Sequence, residues 1–517
     1  MTSGLHHITL ITGNVQANVD FYAGFLGLRL VKRTAGFEDA TQLHLFYGDA
    51  VASPGSLVTF LVWENGSPGR VGHGAPSEIS LAIRPEAIGF WLTRALKFGV
   101  KSSGPAVEFG EPVLRLSDPD GIIVKLVGVN DLSRLHPWIS PDISSDEAIV
   151  GLRGATILSE QPEKTAAFVS RYAGFAESSR ENAHIRLGSE AGSVIDVRDA
   201  GGFWTAAPGT GTIDHIAVRA SDRAEVEAAS NNLNDEAHGP VNVHDRKYFY
   251  SLYVREPSGT LLEIATDGPG FTADEPLAAL GSGLFIPPHF QRREQDIKVI
   301  LPQFGMPGEP RTVYRELPFV HRLHVPEQPD GSALFLLHGT AGNETSLLPL
   351  GRRLAPNATL IGLRGRSYEE GVARFFRRFD ATTFDQGDVQ NEAAALASFI
   401  EGATQAYDID PQAVTFLGYS NGANLLGAAM LLQPGLIKSA ILLRAMMVLE
   451  AHPPAELAGS RVLILSGKED PYAPLAVPLA EALSSAGADV RHQHIPGQHE
   501  LLPDDEKFAA VWLAEQS

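Results

Sequence analysis

Four stretches of the chain open in the same way. LHHITLITGNVQANVDFYAGFLG, SEISLAIRPEAIGFWLTRALKFG, LRGATILSEQPEKTAAFVSRYAGF and IDHIAVRASDRAEVEAASNNLND each begin with an alternating apolar strand and continue into a helix-like stretch. Further strand-like runs follow each of them. Two of the units end in a marked hairpin, LRLSDPDGIIVKLVG and YVREPSGTLLEIATD, with Pro and Gly between β-rich arms. The pattern predicts a βαβββ unit repeated four times across roughly residues 1–270.

From about residue 305 the texture changes, and PQFGMPGEPRTVYRELPFVHRLHVPEQPDGS reads as a connector with room for an edge strand. Short apolar runs then alternate with helical stretches: ALFLLHGTAGN, ATLIGLRG, AVTFLGYSNGANLLGAAMLL, SAILLRA, RVLILSGKEDPY and DVRHQHIPGQHE. Continuous apolar strands between helices predict a parallel sheet covered on both faces. The expected division is modules one and two over 1–135, modules three and four over 145–300, a linker or edge segment over 301–330 and the α/β part over 331–517.

Composition narrows the functions. A chain of 517 residues exceeds one ordinary hydrophobic core. A net charge of −20 from 41 basic and 61 acidic residues repels nucleic acid and anionic membrane and points to a small-molecule partner. No run of about 18 apolar residues occurs, and MTSGLHH has neither the basic start nor the apolar core of a signal peptide, so a cytoplasmic location is expected. The absence of cysteine excludes disulfides, Cys-type zinc sites and thiol catalysis. Oligomeric state is left open.

The candidate chemistry emerges when the modules are aligned by their first strands. LHHITLI falls on IDHIAVR, placing His7 on His215 and His6 on Asp214; the second module has Ile or Ser there and the third has Gly154. The last strand of the fourth module offers Glu263, where the first has Thr59 and the second Lys125. Two imidazoles and a carboxylate are the set that holds non-haem Fe(II) with open positions; ligand type also leaves Mn(II) and Zn(II) open. The set requires modules one and four to face each other. Because neighbouring strand residues point to opposite faces, His6 joins His7 at one site only if the strand bends there. If Pro257, Ser258 and Gly259 make a three-residue hairpin loop, Tyr253 pairs with Glu263 on one face.

HHIT, IDHIAV, DRKYFYSLYVREPSGTLLEIATD and GLFIPPHFQRR, over about residues 4–295, resemble the ring-cleaving dioxygenases of the vicinal oxygen chelate superfamily, in particular the hydroquinone dioxygenase branch. The resemblance implies a vicinal oxygen chelate fold, Fe(II) held by His7, His215 and Glu263, and His6, Arg246 and Tyr253 around a bound diphenol that reacts with O2. Catechol-cleaving relatives take their first histidine from the third module, where Gly154 stands, so the chain is similar to the branch that takes it from the first.

GYSNG, residues 418–422, lies between a strand and a helix, the setting that exposes a serine on a tight turn; Ser420 is the candidate nucleophile. Asp470 in KEDPY and His499 in PGQHE complete the order Ser, Asp, His. The backbone N–H groups of Thr340, in HGTAG, and of Asn421 are the expected oxyanion donors. LFLLHGTAGNE, GLRGR, RFFRRFD, GYSNGA, GKEDPY and GQHEL resemble the carboxylesterase and phospholipase-like α/β-hydrolases, which implies ester hydrolysis through an acyl-enzyme. The departure from a glycine-rich HGGG loop at Thr340 and Ala341 leaves the acyl pocket undefined.

The expectation is therefore an α+β half of four βαβββ modules followed by an α/β-hydrolase domain, a bifunctional enzyme of aromatic or quinone breakdown. The hydrolase would act on an ester or on the ring-cleavage product. The rivals are a metal-free aromatic-binding module beside an active esterase, a glyoxalase-like isomerase, which needs a fourth metal ligand where Thr59 stands, and an active hydrolase whose first half is an assembly scaffold.

Overall fold

The computed structural model describes residues 4–131, 136–235 and 241–515; the module boundary expected at residue 135 lies outside the described residues. The chain divides into two compact units, residues 1–292 with 303–311, and residues 293–302 with 312–517. The junction interleaves: the helix Glu294–Ile300 belongs to the second unit, while the following nine residues, 303–311, return to the first.

In the first unit, each module pairs its first strand parallel to its last. Leu5–Thr12 lies beside Leu57–Val62, Ala75–Ile83 beside Ile123–Gly128, Gly151–Ser159 beside Val194–Asp199, and Thr212–Ala220 beside Leu261–Pro269. The first strands then pair antiparallel across modules, one with four and two with three. Two sheets result among the described residues, nine-stranded for modules one and four and eight-stranded for two and three. Sheet partnership therefore joins modules remote in sequence.

The hairpin register agrees with the sequence reading. Tyr253 pairs with Glu263 and Arg255 with Leu261, and Gly259 sits at φ +106°, a backbone state that glycine adopts without a Cβ clash.

The second unit carries a seven-stranded sheet, parallel except for the edge strand His321–His324, which runs antiparallel to Thr359–Leu363 within the segment expected as a linker. Along Ala333–Leu337, Phe335 and Leu337 enter a core with Phe416, Leu442 and Ile464, while Leu334 and Leu336 face the opposite core with Leu417, Ile441 and Leu463. Burial on both faces is why these strands read as uninterrupted apolar runs. No described helix is long and apolar enough to cross a membrane.

Two candidate active sites

The three expected ligands meet around Ala217. That residue pairs with His7 on one neighbouring strand and with Glu263 on the other, and stands two positions beyond His215. Period-two alternation therefore lifts all three side chains from one face. His7 Nε2 lies 3.3 Å from His215 Nε2 and 3.1 Å from Glu263 Oε2, and His215 Nε2 lies 2.8 Å from Glu263 Oε2. An ion held at about 2.1 Å by three donors at right angles sets those donors about 3 Å apart, so the residues fit one face of an octahedron.

Charge supports the same fit. Glu263 is fully buried, yet neither carboxylate oxygen has a hydrogen bond of acceptable alignment. A buried carboxylate in that state is costly unless a cation completes it. Burial alone would push its carboxyl up; His7 and His215 outweigh that and hold it well below the usual range. Burial would likewise lower His215, but Asp214 and Glu263 push it up to about 9, so the site favours positive charge.

The adjacency of His6 and His7 has a backbone cause. Leu5 pairs with Val218 and His7 with Ala217, so His6 is an extra residue, a β-bulge. A second bulge makes Asp214 the extra residue on the opposing strand, between the pairs Thr9 with His215 and Leu10 with Ile213. Each bulge residue supports the ligand that follows it: His6 Nδ1 is 2.9 Å from His7 Nδ1, and Asp214 Oδ2 is 2.6 Å from His215 Nδ1. Such partners fix the tautomer and orientation of a metal-binding imidazole. The bulge is the local bend that lets His6 serve the same site: His6 lies behind His7, turned toward that imidazole's far nitrogen.

A cavity of about 540 Å³ opens in front of His7 and His215, walled by Phe37, Phe46, Leu61 and Val254 on its apolar side. Its size and character suit a small ring. Tyr253 lines it, edge-on to His215 at 5.6 Å between ring centroids; burial first, then the Glu263 charge, push its phenol well above the ordinary value. Arg246 also lines it and bonds Tyr253, and its ion pair is with Glu38 at 3.0 Å. His44 was not singled out from sequence. It lines the cavity, bonds the Thr59 hydroxyl at 3.1 Å and is brought down to about 3 by burial and by His7 and His215. The strand LHLFYG carries no motif, and only its alternation could have directed attention to that face.

The sister sheet repeats the backbone but not the chemistry. Bulges fall at Ser77 and Arg153, which places Glu78 where the first module has His7, Gly154 for His215 and Asp196 for Glu263. The alignment of Ile or Ser with His7 is thus overturned: the bulges fall at equivalent places in both sheets, so the first strands match residue for residue, with Ser77 on His6 and Glu78 on His7. Lys125, at the Thr59 position, holds Glu78 at 2.8 Å, Glu108 at 3.3 Å and Asp196 at 3.8 Å, with 3% of its side chain exposed. A tethered ammonium occupies the centre of that face. A Cβ on Gly154 would meet the Val194 carbonyl at 2.3 Å, so a histidine there has no room.

In the second unit Ser420 sits at φ +50°, ψ −114°, a strained turn between Val414–Tyr419 and the helix Asn421–Leu432. The flanking glycines are steric requirements: a Cβ on Gly418 would meet Ala423 N at 2.6 Å, and one on Gly422 the Leu337 carbonyl at 2.2 Å. Ser420 Oγ is 2.8 Å from His499 Nε2, and His499 Nδ1 is 2.8 Å from Asp470 Oδ2. Thr340 follows Gly339, whose added Cβ would lie 3.5 Å from Ser420 Cβ, and Asn421 begins the helix. Both expected oxyanion residues thus belong to segments bordering the serine. The Asn421 side chain is separately engaged, accepting the Phe375 N–H at 2.6 Å.

Comparison with known proteins agrees with this division. Residues 4–126 match the Glyoxalase/Bleomycin resistance protein/Dioxygenase superfamily. A Bacillus subtilis (strain 168) protein named as a ring-cleaving dioxygenase, MhqO, is 36% identical over 299 residues, 57% of this chain and 95% of its own. A chlorohydroquinone/hydroquinone 1,2-dioxygenase of Sphingobium indicum is 31% identical over 301 residues, 56% of this chain and 92% of its own. A B. subtilis (strain 168) protein named as a hydrolase, MhqD, is 34% identical over 186 residues, 36% of this chain and 93% of its own.

Proposed function

The first unit belongs to the ring-cleaving dioxygenase family of the glyoxalase and bleomycin resistance protein superfamily, the second to a family of hydrolases, and from that premise we propose an Fe(II)-dependent hydroquinone-type dioxygenase fused to a serine esterase. His7, His215 and Glu263 would hold the iron, and Mn(II) suits the same donors. When bound, the metal supplies open positions for a phenolate oxygen and O2 and a route for electrons between them.

The chain's own residues do the rest. Tyr253 keeps its proton at neutral pH and offers it at the Oη beside the cavity; Arg246 holds negative charge developing on the opened ring; and the neutral His44 ring, bonded to Thr59, offers a hydrogen bond on the cavity wall. His6 and Asp214 orient the ligand imidazoles. The observation that carries the reading is the convergence of the fully buried Glu263 carboxylate and two imidazoles, whose donor atoms lie 2.8 to 3.3 Å apart on one face. A metal-free binding module would have no reason to gather these three donor atoms on one buried face. An isomerase site would need a fourth ligand, but the Thr59 hydroxyl there is shared by Thr9 and His44 at 2.8 and 3.1 Å.

In the second unit His499 Nε2 takes the proton of Ser420 Oγ as the oxygen attacks an ester carbonyl, and returns it to the departing alcohol. Asp470 stabilises the imidazolium from Nδ1. The N–H groups of Thr340 and Asn421 would receive the oxyanion, and water then releases the acid by the same route.

Oxygen uptake by anaerobically iron-loaded protein on hydroquinone, chlorohydroquinone, methylhydroquinone and catechol tests the first activity, with His215→Ala as control. Uptake on a hydroquinone that vanishes in the variant is expected. An iron-replete protein that consumes no oxygen on any of the four would overturn the reading.

A further inference from the structure

The histidine of the second site stands on a loop outside the sheet, and a loop does not by itself hold an imidazole to a fraction of an ångström. Three successive carbonyls of that loop are each capped by a side chain. Gln498 O accepts from Arg444 Nε at 2.9 Å, His499 O from the Tyr419 hydroxyl at 2.9 Å, and Glu500 O from an Arg444 terminal nitrogen at 2.8 Å. The Arg444 side chain is fully buried, and its guanidinium also meets both oxygens of Asp505, at 2.6 and 2.9 Å.

The backbone at the same point reaches the other two members of the triad. Leu443 O accepts the N–H of Ser420 at 2.8 Å, and Arg444 N donates to Leu465 O, also at 2.8 Å, on the strand that leads to Asp470. Arg444 itself sits at φ +57°, a left-handed state that is strained for a side-chain-bearing residue and persists only where surroundings impose it. Gly467 completes the arrangement: a Cβ there would meet Gln498 O at 2.2 Å, so its absence lets the loop lie against the strand.

Resting on the esterase reading of Ser420, we propose that Arg444 and Tyr419 are positioning residues that clasp the backbone on both sides of His499 and at His499 itself, and so hold its imidazole between Ser420 and Asp470. Asp505 keeps the guanidinium charge-balanced in a dry setting. A bare fold anchor would act through stability alone, whereas a clasp acts on the turnover of a folded protein.

The test uses the full chain, 4-nitrophenyl acetate as substrate and a fluorophosphonate as serine label, with Ser420→Ala as control. Tyr419→Phe removes one carbonyl cap. The double variant Arg444→Met with Asp505→Leu removes the other two while leaving no unpaired buried charge. Misplacing a catalytic group by about 1 Å costs roughly 100-fold, so kcat is expected to fall roughly 3- to 10-fold in Tyr419→Phe and 30- to 100-fold in the double variant. KM should stay within about twofold in both variants, the labelling rate should fall in parallel, and the acid limb of the kcat/KM pH profile should move. Arg444→Lys should recover part of the loss.

Ser420-dependent turnover in the parent with unchanged kcat in a folded Tyr419→Phe protein overturns the clasp and leaves the esterase standing. An unchanged kcat in a folded double variant does the same. Should the double variant fail to fold, Tyr419→Phe alone decides. Absence of any Ser420-dependent hydrolysis or labelling in the parent overturns the esterase reading, and the clasp with it.

Discussion

His6 and His7, neighbours in sequence, meet Nδ1 to Nδ1 at 2.9 Å because a bulge turns His6 behind the ligand histidine. Burial, then the His7 charge, bring His6 down to about 3, and its ring bonds the Thr266 backbone. A neutral His6 accepts at Nδ1, so His7 carries its proton on Nδ1 and presents Nε2 as a lone pair. His6→Ala should weaken metal binding roughly 10- to 100-fold, and Asp214→Ala should do likewise at His215, with the fold intact. Iron titration followed by circular dichroism checks both.

Metal should stabilise the first unit. The cluster of His7, His215 and Glu263 exists only in the folded state, and an ion that binds there shifts unfolding by mass action, about 2.7 kcal/mol at a hundredfold excess over its dissociation constant. Thermal unfolding with and without Fe(II) or Mn(II) should show the rise, and Glu263→Gln should abolish it.

Lys125 does in the second sheet by a covalent tether what an ion would do in the first. Lys125→Met removes the ammonium that Glu78 and Asp196 share but leaves Glu78 with Arg115 and Asp196 with Arg186, so a cost of about 1–3 kcal/mol is expected in denaturant unfolding. Oxygen uptake per bound iron should be unchanged, since Lys125 touches none of the cavity.

The same network sets an acid limit. Burial would raise the Glu78 carboxyl, but hydrogen bonds from Arg115 and the charge of Lys125 bring it down to about 2 from its usual 4.5. A depressed carboxylate contributes stability above its unfolded value and loses it as pH falls through the folded one. A loss on the order of 3 kcal/mol between pH 4.5 and 2 is expected. Urea unfolding of the parent across that window should show this slope, and Glu78→Gln should flatten it.

The two chemistries should separate by mutation. Ser420→Ala should remove ester hydrolysis by at least roughly a thousandfold while leaving oxygen uptake unchanged, and His215→Ala should do the reverse. Paired assays on one preparation of each variant check this.

How much was legible in advance follows from what kind of signal each feature leaves. The four modules, the alternating sheet strands, the hairpin that sets Tyr253 opposite Glu263, and the glycines around Ser420 are local, written in periods of two or in turn chemistry, and a single sequence carries them. The candidate cluster His7, His215 and Glu263 was legible because repetition supplies an internal alignment. That alignment missed Glu78, because alternation alone does not mark which residue of SEIS matches His7, and the shared bulge that fixes the match is visible only in the strand pairing.

Pairing between remote segments was decided by tertiary structure alone. Nothing local says that module one zips to module four, that His6 stands behind His7, or that His44 from a motif-free strand faces the cavity. The Arg444 clasp on the His499 loop is likewise a meeting of segments more than fifty residues apart. The sequence determined which elements form and which chemistry they carry. Burial and hydrogen bonding across those long separations determined which side chains meet, because that energy exists only once the strands have docked.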